Sequence, residues 1–246
     1  MGKKMTTLVA GASGATGRLL VEQLLEQGEK VRIIVRSTQT LPEQVIRHEN
    51  LTITQAGILS LSDIELAQLV EGCDAVASCL GHNLSIKGMF GAPRRLVTDA
   101  TRRLCRAVKA NHPDAPVRFV LMNTTGNRNR DLNEQVSLRH RCVIGLIRLL
   151  LAPHVDNEKA AEYLRTNIGQ NDEALQWAVV RPDSLLDETE TSEFTVHPSP
   201  TRCALFDSGV TSRINVARFM ADLISDDHTW NEWKGKMPVI YNLERE

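Results

Sequence analysis

Three glycines, Gly11, Gly14 and Gly17, stand three residues apart in the segment LVAGASGATGRLL. The chemistry that suits this spacing is the binding of a diphosphate. A tight turn free of side chains lets the backbone approach phosphate oxygens. A helix beginning inside that turn offers unpaired N–H groups and the positive end of its dipole. The segment Gly11, Ser13, Gly14, Ala15, Thr16 and Gly17 is therefore a candidate dinucleotide turn. The competing reading is a turn whose glycines serve packing alone.

A second group bears on which dinucleotide would fit. At the end of the next strand-like run, in RIIVRST, stand Arg36 and Ser37. An Asp or Glu at this place binds a ribose 2′-hydroxyl and favours NAD(H), whereas a guanidinium pairs with a 2′-phosphate through charge-assisted hydrogen bonds. Arg36 and Ser37, with Ser13 and Arg18 assisting from the turn, make NADP(H) the expected cofactor. The bland alternative is that Arg36 is solvated surface.

These residues need elements to hold them. Short apolar runs at 6–10, 31–35, 51–54, 74–78, 117–122 and 177–180 read as strands. Helix-length segments alternate with them at 15–27, 63–70, 93–111, 134–151 and 157–168, with Pro153 separating the last two. That rhythm builds βαβ units and a parallel sheet. The sixth strand is expected to stop at Arg181-Pro182, and the chain then carries a strand at 194–196, a helix at 216–224 and a strand-like run at 239–241. One domain spanning residues 1–246 is expected, with residues from about 183 onward forming a small elaboration on the substrate side.

The glycine turn and the spacing of the later strands resemble the short-chain dehydrogenase/reductase superfamily. The pattern GASGATGR is similar to its atypical branch, which includes NmrA-like proteins and flavin reductases of the biliverdin reductase B type. The resemblance runs from about residue 6 to residue 224, with looser signatures in VASCLGH, VLMNTTG and VVRPDSL. It implies an α/β, Rossmann-type doubly wound parallel sheet, with Leu80 and Gly81 as further cofactor contacts. In the typical branch a Tyr-x-x-x-Lys pair moves the proton and holds the nicotinamide ribose. Here the corresponding helix reads HVDNEKAAEYL. Lys159 fits the lysine and is expected to bind the ribose, but Val155 stands where the tyrosine would be. Tyr163 lies one turn beyond the lysine and is a poor replacement. Thr124 or Thr125 would contact substrate or ribose, unless they only cap the strand end.

Other proton donors are His82, which follows the fourth strand, and His154, while His140 and His197 have weaker claims. Lys87, Arg94 and Arg95 could rim an anionic ligand or be ordinary exposed charge. The net charge of −1 gives no broad footprint for nucleic acid. The cysteines, Cys73, Cys79, Cys105, Cys142 and Cys203, form no C-x-x-C pair and read as buried reduced thiols of a cytoplasmic protein. No metal-binding constellation and no membrane-spanning stretch is expected. The expected partner is a small-molecule substrate, and the oligomeric state stays open. Three functions follow. The first is an NADPH-dependent reductase of a flavin, quinone or tetrapyrrole that draws its proton from solvent. The second is a non-catalytic NADP(H) sensor or partner-binding protein. The third is a nucleotide-sugar epimerase or dehydratase, disfavoured by the missing tyrosine.

Overall fold

The structure, a computed structural model, describes residues 4–82, 93–132, 134, 152–203 and 207–243. Strands and helices alternate from the start: β1 (Thr6–Ala10), α1 (Ala15–Glu26), β2 (Lys30–Val35), α2 (Glu43–Ile46), β3 (Leu51–Gln55), α3 (Asp63–Val70) and β4 (Ala75–Ser78). Then follow α4 (Leu96–Ala110), β5 (Val117–Met122), α5 (Ala152–Tyr163) with a π turn at Leu164–Ile168, and β6 (Leu175–Pro182). The C-terminal part holds β7 (Ser184–Leu186), β8 (Phe194–His197), β9 (Val210–Ser212), α6 (Arg213–Ser225), α7 (Asp227–Trp233) and β10 (Val239–Asn242).

Eight strands form one sheet in the order β3-β2-β1-β4-β5-β6-β10-β8. Every neighbouring pair is parallel except β10 with β8. The fold is thus a Rossmann-type, doubly wound α/β sheet. Its strand order reverses between β1 and β4, which opens a crevice at the carboxyl ends of those strands, where ligands bind in this architecture.

Strand periodicity builds the two faces. Val9, Ile33, Val120, Ala178 and Val180 point into a core shared with α1, α6 and the tryptophans of α7. Their neighbours Leu8, Ile34, Phe119, Leu121, Trp177 and Val179 point into the core under α3, α4 and α5. Sheet burial on both sides explains why these strands read as nearly continuous apolar runs.

The structure departs from the sequence expectations at three places. Pro153 lies within α5, which is already helical from Ala152, where a helix from 157 was expected. Arg181 and Pro182 continue β6 instead of stopping it, and Arg181 is completely buried. Beyond residue 183 the chain pairs β7 with β9 outside the main sheet, but it also adds β10 and β8 to that sheet and lays α6 against α1. The expected helix at 134–151, apart from Glu134, lies outside the described residues. Among the described residues no helix is long and apolar enough to cross a membrane.

Candidate functional site

The glycine turn sits at the strand-order reversal, between β1 and α1. Gly11 has φ +81°, and a Cβ there would lie 2.7 Å from the Cys79 carbonyl carbon and 2.8 Å from the Leu80 nitrogen. Both the backbone angle and the contact require glycine. A Cβ on Gly17 would overlap the Gly11 carbonyl oxygen, so the first turn of α1 rests directly on the loop. Gly14 closes the turn by donating its N–H to the Gly11 carbonyl at 3.0 Å. It is also the N-cap of α1, with no side-chain cap and no acidic residue in the first turn. The N-terminal N–H groups of a helix need an acceptor. Here the chain supplies none from a capping side chain, and the helix end opens on a cleft.

That cleft has a volume of about 750 Å³ and runs from the glycine turn past the ends of β2, β3 and β4. Gly11, Ser13 and Gly14 form one wall, Arg36 and Ser37 another, and Leu80 and Gly81 a third. Of the expected cofactor residues, Ala15 is exposed and Thr16 buried in the first turn of α1. Arg36 is exposed on the rim and makes no ion pair among the described residues. Arg18 is engaged elsewhere, with the Thr40 carbonyl at 3.4 Å and Glu22 at 4.0 Å. The residues fit a dinucleotide: an open helix N-terminus, a cradle that side chains would fill, and beside them a guanidinium in no ion pair among the described residues.

Sequence reasoning missed part of this cleft. Gln39 and Thr40 after β2, and residues 56–60 after β3, also line it. The Thr40 hydroxyl donates to the Ser13 carbonyl at 3.2 Å and ties the β2 loop to the glycine turn. The usable signal was position, since these residues follow strands that end on the same edge of the sheet.

The β5 and β6 ends continue that edge. The Asn123 N–H donates to the Val180 carbonyl at 2.8 Å, and the Thr125 N–H donates to the Pro182 carbonyl at 3.0 Å. Thr124 is partly buried and its hydroxyl accepts the Gly126 N–H at 3.3 Å. Thr125 is buried and its hydroxyl bonds to the carboxyl of Asp183, which also accepts the Gly209 N–H at 3.0 Å. Burial pushes the Asp183 pKa above the ordinary aspartate range. Just behind, Arg181 is fully satisfied, donating to the carbonyls of Met237 (2.7 Å), Asn127 (2.8 Å) and Pro198 (3.3 Å) and to Glu134 (2.8 Å). This buried ion pair fixes three loops of the edge at once.

The remaining candidates are placed differently. Lys159 is exposed on α5 and does not line the cleft. Tyr163 lies beneath the Arg102 guanidinium, 5.4 Å from its ring centre, on the side of α5 that faces α4. His154 approaches Gly126, with its Cε1 3.1 Å from where a Cβ would stand, and its Nε2 is 3.4 Å from Glu158. His82 is buried against Asp156, its Nε2 2.8 Å from Oδ2. His197 bonds the Thr195 hydroxyl at 2.9 Å. Arg94 and Arg95 are exposed before α4, and Lys87 and His140 lie outside the described residues. Burial pushes the thiols of Cys73 to about 11 and Cys79 to about 12, and raises that of Cys105 further, so none of these is a ready nucleophile. Cys142 lies outside the described residues. Among those described, no group of three or more His, Cys, Asp or Glu is placed to hold a metal ion.

A family profile described as NAD(P)H-binding matches residues 11–227. A search of curated proteins by sequence finds no match. Solved structures share the fold at low identity. A short-chain dehydrogenase/reductase from Veillonella parvula superposes with a TM-score of 0.71 at 14% identity, covering 98% of this chain and 95% of that one. A candidate NAD-dependent epimerase/dehydratase from Bacillus halodurans gives 0.70 at 21% identity, with coverage of 98% and 95%. A candidate NADH-flavin reductase from Streptococcus pneumoniae gives 0.66 at 15% identity, with coverage of 97% and 100%.

Proposed function

Because the chain belongs to the NAD(P)H-binding family, we propose that it holds NADP(H) in the cleft at the strand-order reversal and serves hydride transfer to a small conjugated acceptor such as a flavin or quinone. The observation that carries this reading is the uncapped N-terminus of α1 opening on the same cleft as Arg36. The first-turn N–H groups of α1 bind the diphosphate, and Arg36 with Ser37 takes the 2′-phosphate. Leu80 and Gly81 form the wall on the β4 side, and Thr124 and Thr125 present hydroxyls further along the edge. When bound, NADPH supplies the hydride, and the protein's task is to orient and to exclude water. The acceptor takes its proton from solvent, since Val155 occupies the tyrosine position and Tyr163 faces α4.

Two neighbours lend support. A Veillonella parvula short-chain dehydrogenase/reductase was crystallised with NADP, and the Streptococcus pneumoniae protein is described as a candidate flavin reductase. A cytoplasmic location is part of the same proposal and accords with the free cysteines Cys73, Cys79, Cys105 and Cys203. Calorimetry with NADPH and NADH on the wild type and Arg36→Ala tests the cofactor assignment. Arg36→Ala should weaken NADPH binding by about 1.5–3 kcal/mol and leave NADH nearly untouched. Equal losses for the two nucleotides would refute the preference for NADP(H).

One observation favours a second reading, an NADP(H) sensor without catalysis: α5 lacks the tyrosine and turns Lys159 to solvent. Pull-downs with and without NADP(H), beside NADPH oxidation assays over flavins and quinones, separate the two. A nucleotide-dependent partner with no oxidation supports the sensor.

A further inference from the structure

We propose that the buried His82–Asp156 pair positions the β4 wall of the dinucleotide cleft, so that cofactor affinity depends on a hydrogen bond made outside the cleft. The inference rests on the NADP(H) reading above. The side chains of His82 and Asp156 are only 6% and 1% exposed. A carboxylate so withdrawn from water must be satisfied by donors. Among the described residues Asp156 has three: the N–H groups of Val97 (2.8 Å) and Thr98 (3.0 Å) and Nε2 of His82 (2.8 Å). An ionised carboxylate only accepts, so Nε2 carries the proton.

Two consequences follow from where these donors sit. Val97 and Thr98 begin α4, whose own N-cap residue, Arg95, makes no side-chain cap. Asp156, reaching across from α5, closes that helix end and complements its dipole. His82 directly follows Leu80 and Gly81, which line the cleft. On the turn side, the Cys79 carbonyl and the Leu80 nitrogen press against Gly11 with no room for a Cβ. Gly81 lines the cleft, and a Cβ on it would meet no described atom within 4 Å. The short β4 wall is thus fixed at one end by the glycine turn and at the other by His82, with open space where a ligand would lie. Without the His82 bond, residues 80–82 lose their anchor on the side of α4 and α5. Asp156 keeps its two α4 donors, so the fold and the wall are separable.

The test measures binding of NADPH and of adenosine 2′,5′-bisphosphate, which carries the Arg36-seeking phosphate but lacks the half that would extend along β4. His82→Leu should raise the Kd for NADPH about tenfold while changing that for the bisphosphate less than about twofold. His82→Gln, whose amide can donate from nearly the same place as Nε2, should restore NADPH binding. If the leucine variant does not fold, His82→Asn, too short to reach the carboxylate, takes its place. NADPH affinity unchanged in the variant would overturn the inference, as would parallel losses for both ligands, which mean that the pair only holds the fold. A wild type that binds neither ligand would instead bring down the cofactor reading itself.

Discussion

Helices α1 and α4 begin alike and are completed differently. Both start beyond the carboxyl end of a central strand, on either side of the strand-order reversal, and neither is capped by its own N-cap side chain. At α4 the missing acceptor comes from within the protein, as the Asp156 carboxylate of α5. At α1 no side chain among the described residues fills the place, the first turn has no acid, and the end opens on the 750 Å³ cleft. The two helix ends make the same electrostatic demand. One is met by a built-in anion and serves to hold the molecule together; the other, on the proposed function, receives the anion of a bound ligand. The difference separates a structural helix start from a binding one without appeal to the glycine pattern.

The largest expected effect comes from closing α1 by force. In Gly17→Ala the new Cβ overlaps the Gly11 carbonyl oxygen and lies 2.9 Å from the Gly11 carbonyl carbon, both backbone atoms that cannot swing aside. The helix must lift off its turn, at a cost of about 3 kcal/mol, and nucleotide binding should be lost with it. Urea unfolding and calorimetry read the two effects. A stable variant that still binds NADPH would show that the contact of α1 with its turn is not what shapes the site.

A gentler change makes α1 resemble α4. Gly14 has φ −78° and ψ 163°, which any L-residue adopts, and a Cβ there would be 3.2 Å from the Gly11 carbonyl oxygen. Gly14→Asp therefore supplies the missing cap at the cost of a small adjustment. Apo stability should hold or rise, by roughly a few tenths of a kcal/mol. NADPH affinity should fall more than about tenfold, because a fixed carboxylate then sits where the diphosphate belongs. Stability and affinity moving in opposite directions is the signature. Both falling together would mean that glycine is needed at position 14 for packing.

The two helix starts also mark what a sequence can disclose. Everything that makes α1 a binding end is local: strand, glycines and helix within about a dozen residues, and Arg36 one strand later. The cap of α4 is 58 residues distant from Thr98 and resides on a helix whose sequence points to a tyrosine and a lysine, not to a buried acid. Nothing in the pattern HVDNEKAAEYL tells which carboxylate will turn inward until the neighbouring helix is in place. Pro153 misled for a related reason, since it lies within the described helix although proline suggests a break. Arg181-Pro182 looked like a strand stop because a charged residue rarely ends up buried. It is buried here because Glu134 and three carbonyls from separate loops converge on it. Local chemistry was legible; partnerships formed across the fold were not.

Helix α3 offers a third way to complete a helix start, and the smallest effect. It caps itself: the Ser62 hydroxyl accepts the Glu65 N–H at 3.2 Å, while the Glu65 carboxylate accepts the Ser62 N–H at 2.7 Å. These bonds hold the Glu65 pKa below its ordinary value. A carboxyl depressed in the folded state stabilises the protein fully above its unfolded pKa, and that contribution is lost as pH falls through the folded pKa. Glu65→Ala removes the carboxylate's bonds to the Ser62 N–H and hydroxyl, and with them the pH dependence, while the Ser62 hydroxyl still caps the helix. Melting temperatures of the variant and the wild type should differ by a few degrees at about pH 7 and converge toward about pH 3. NADPH affinity should not change, because α3 is closed by its own residues and owes nothing to the cleft. A gap that persists at low pH would assign the loss to packing, and weakened NADPH binding would show that a self-capped helix start is coupled to the open one after all.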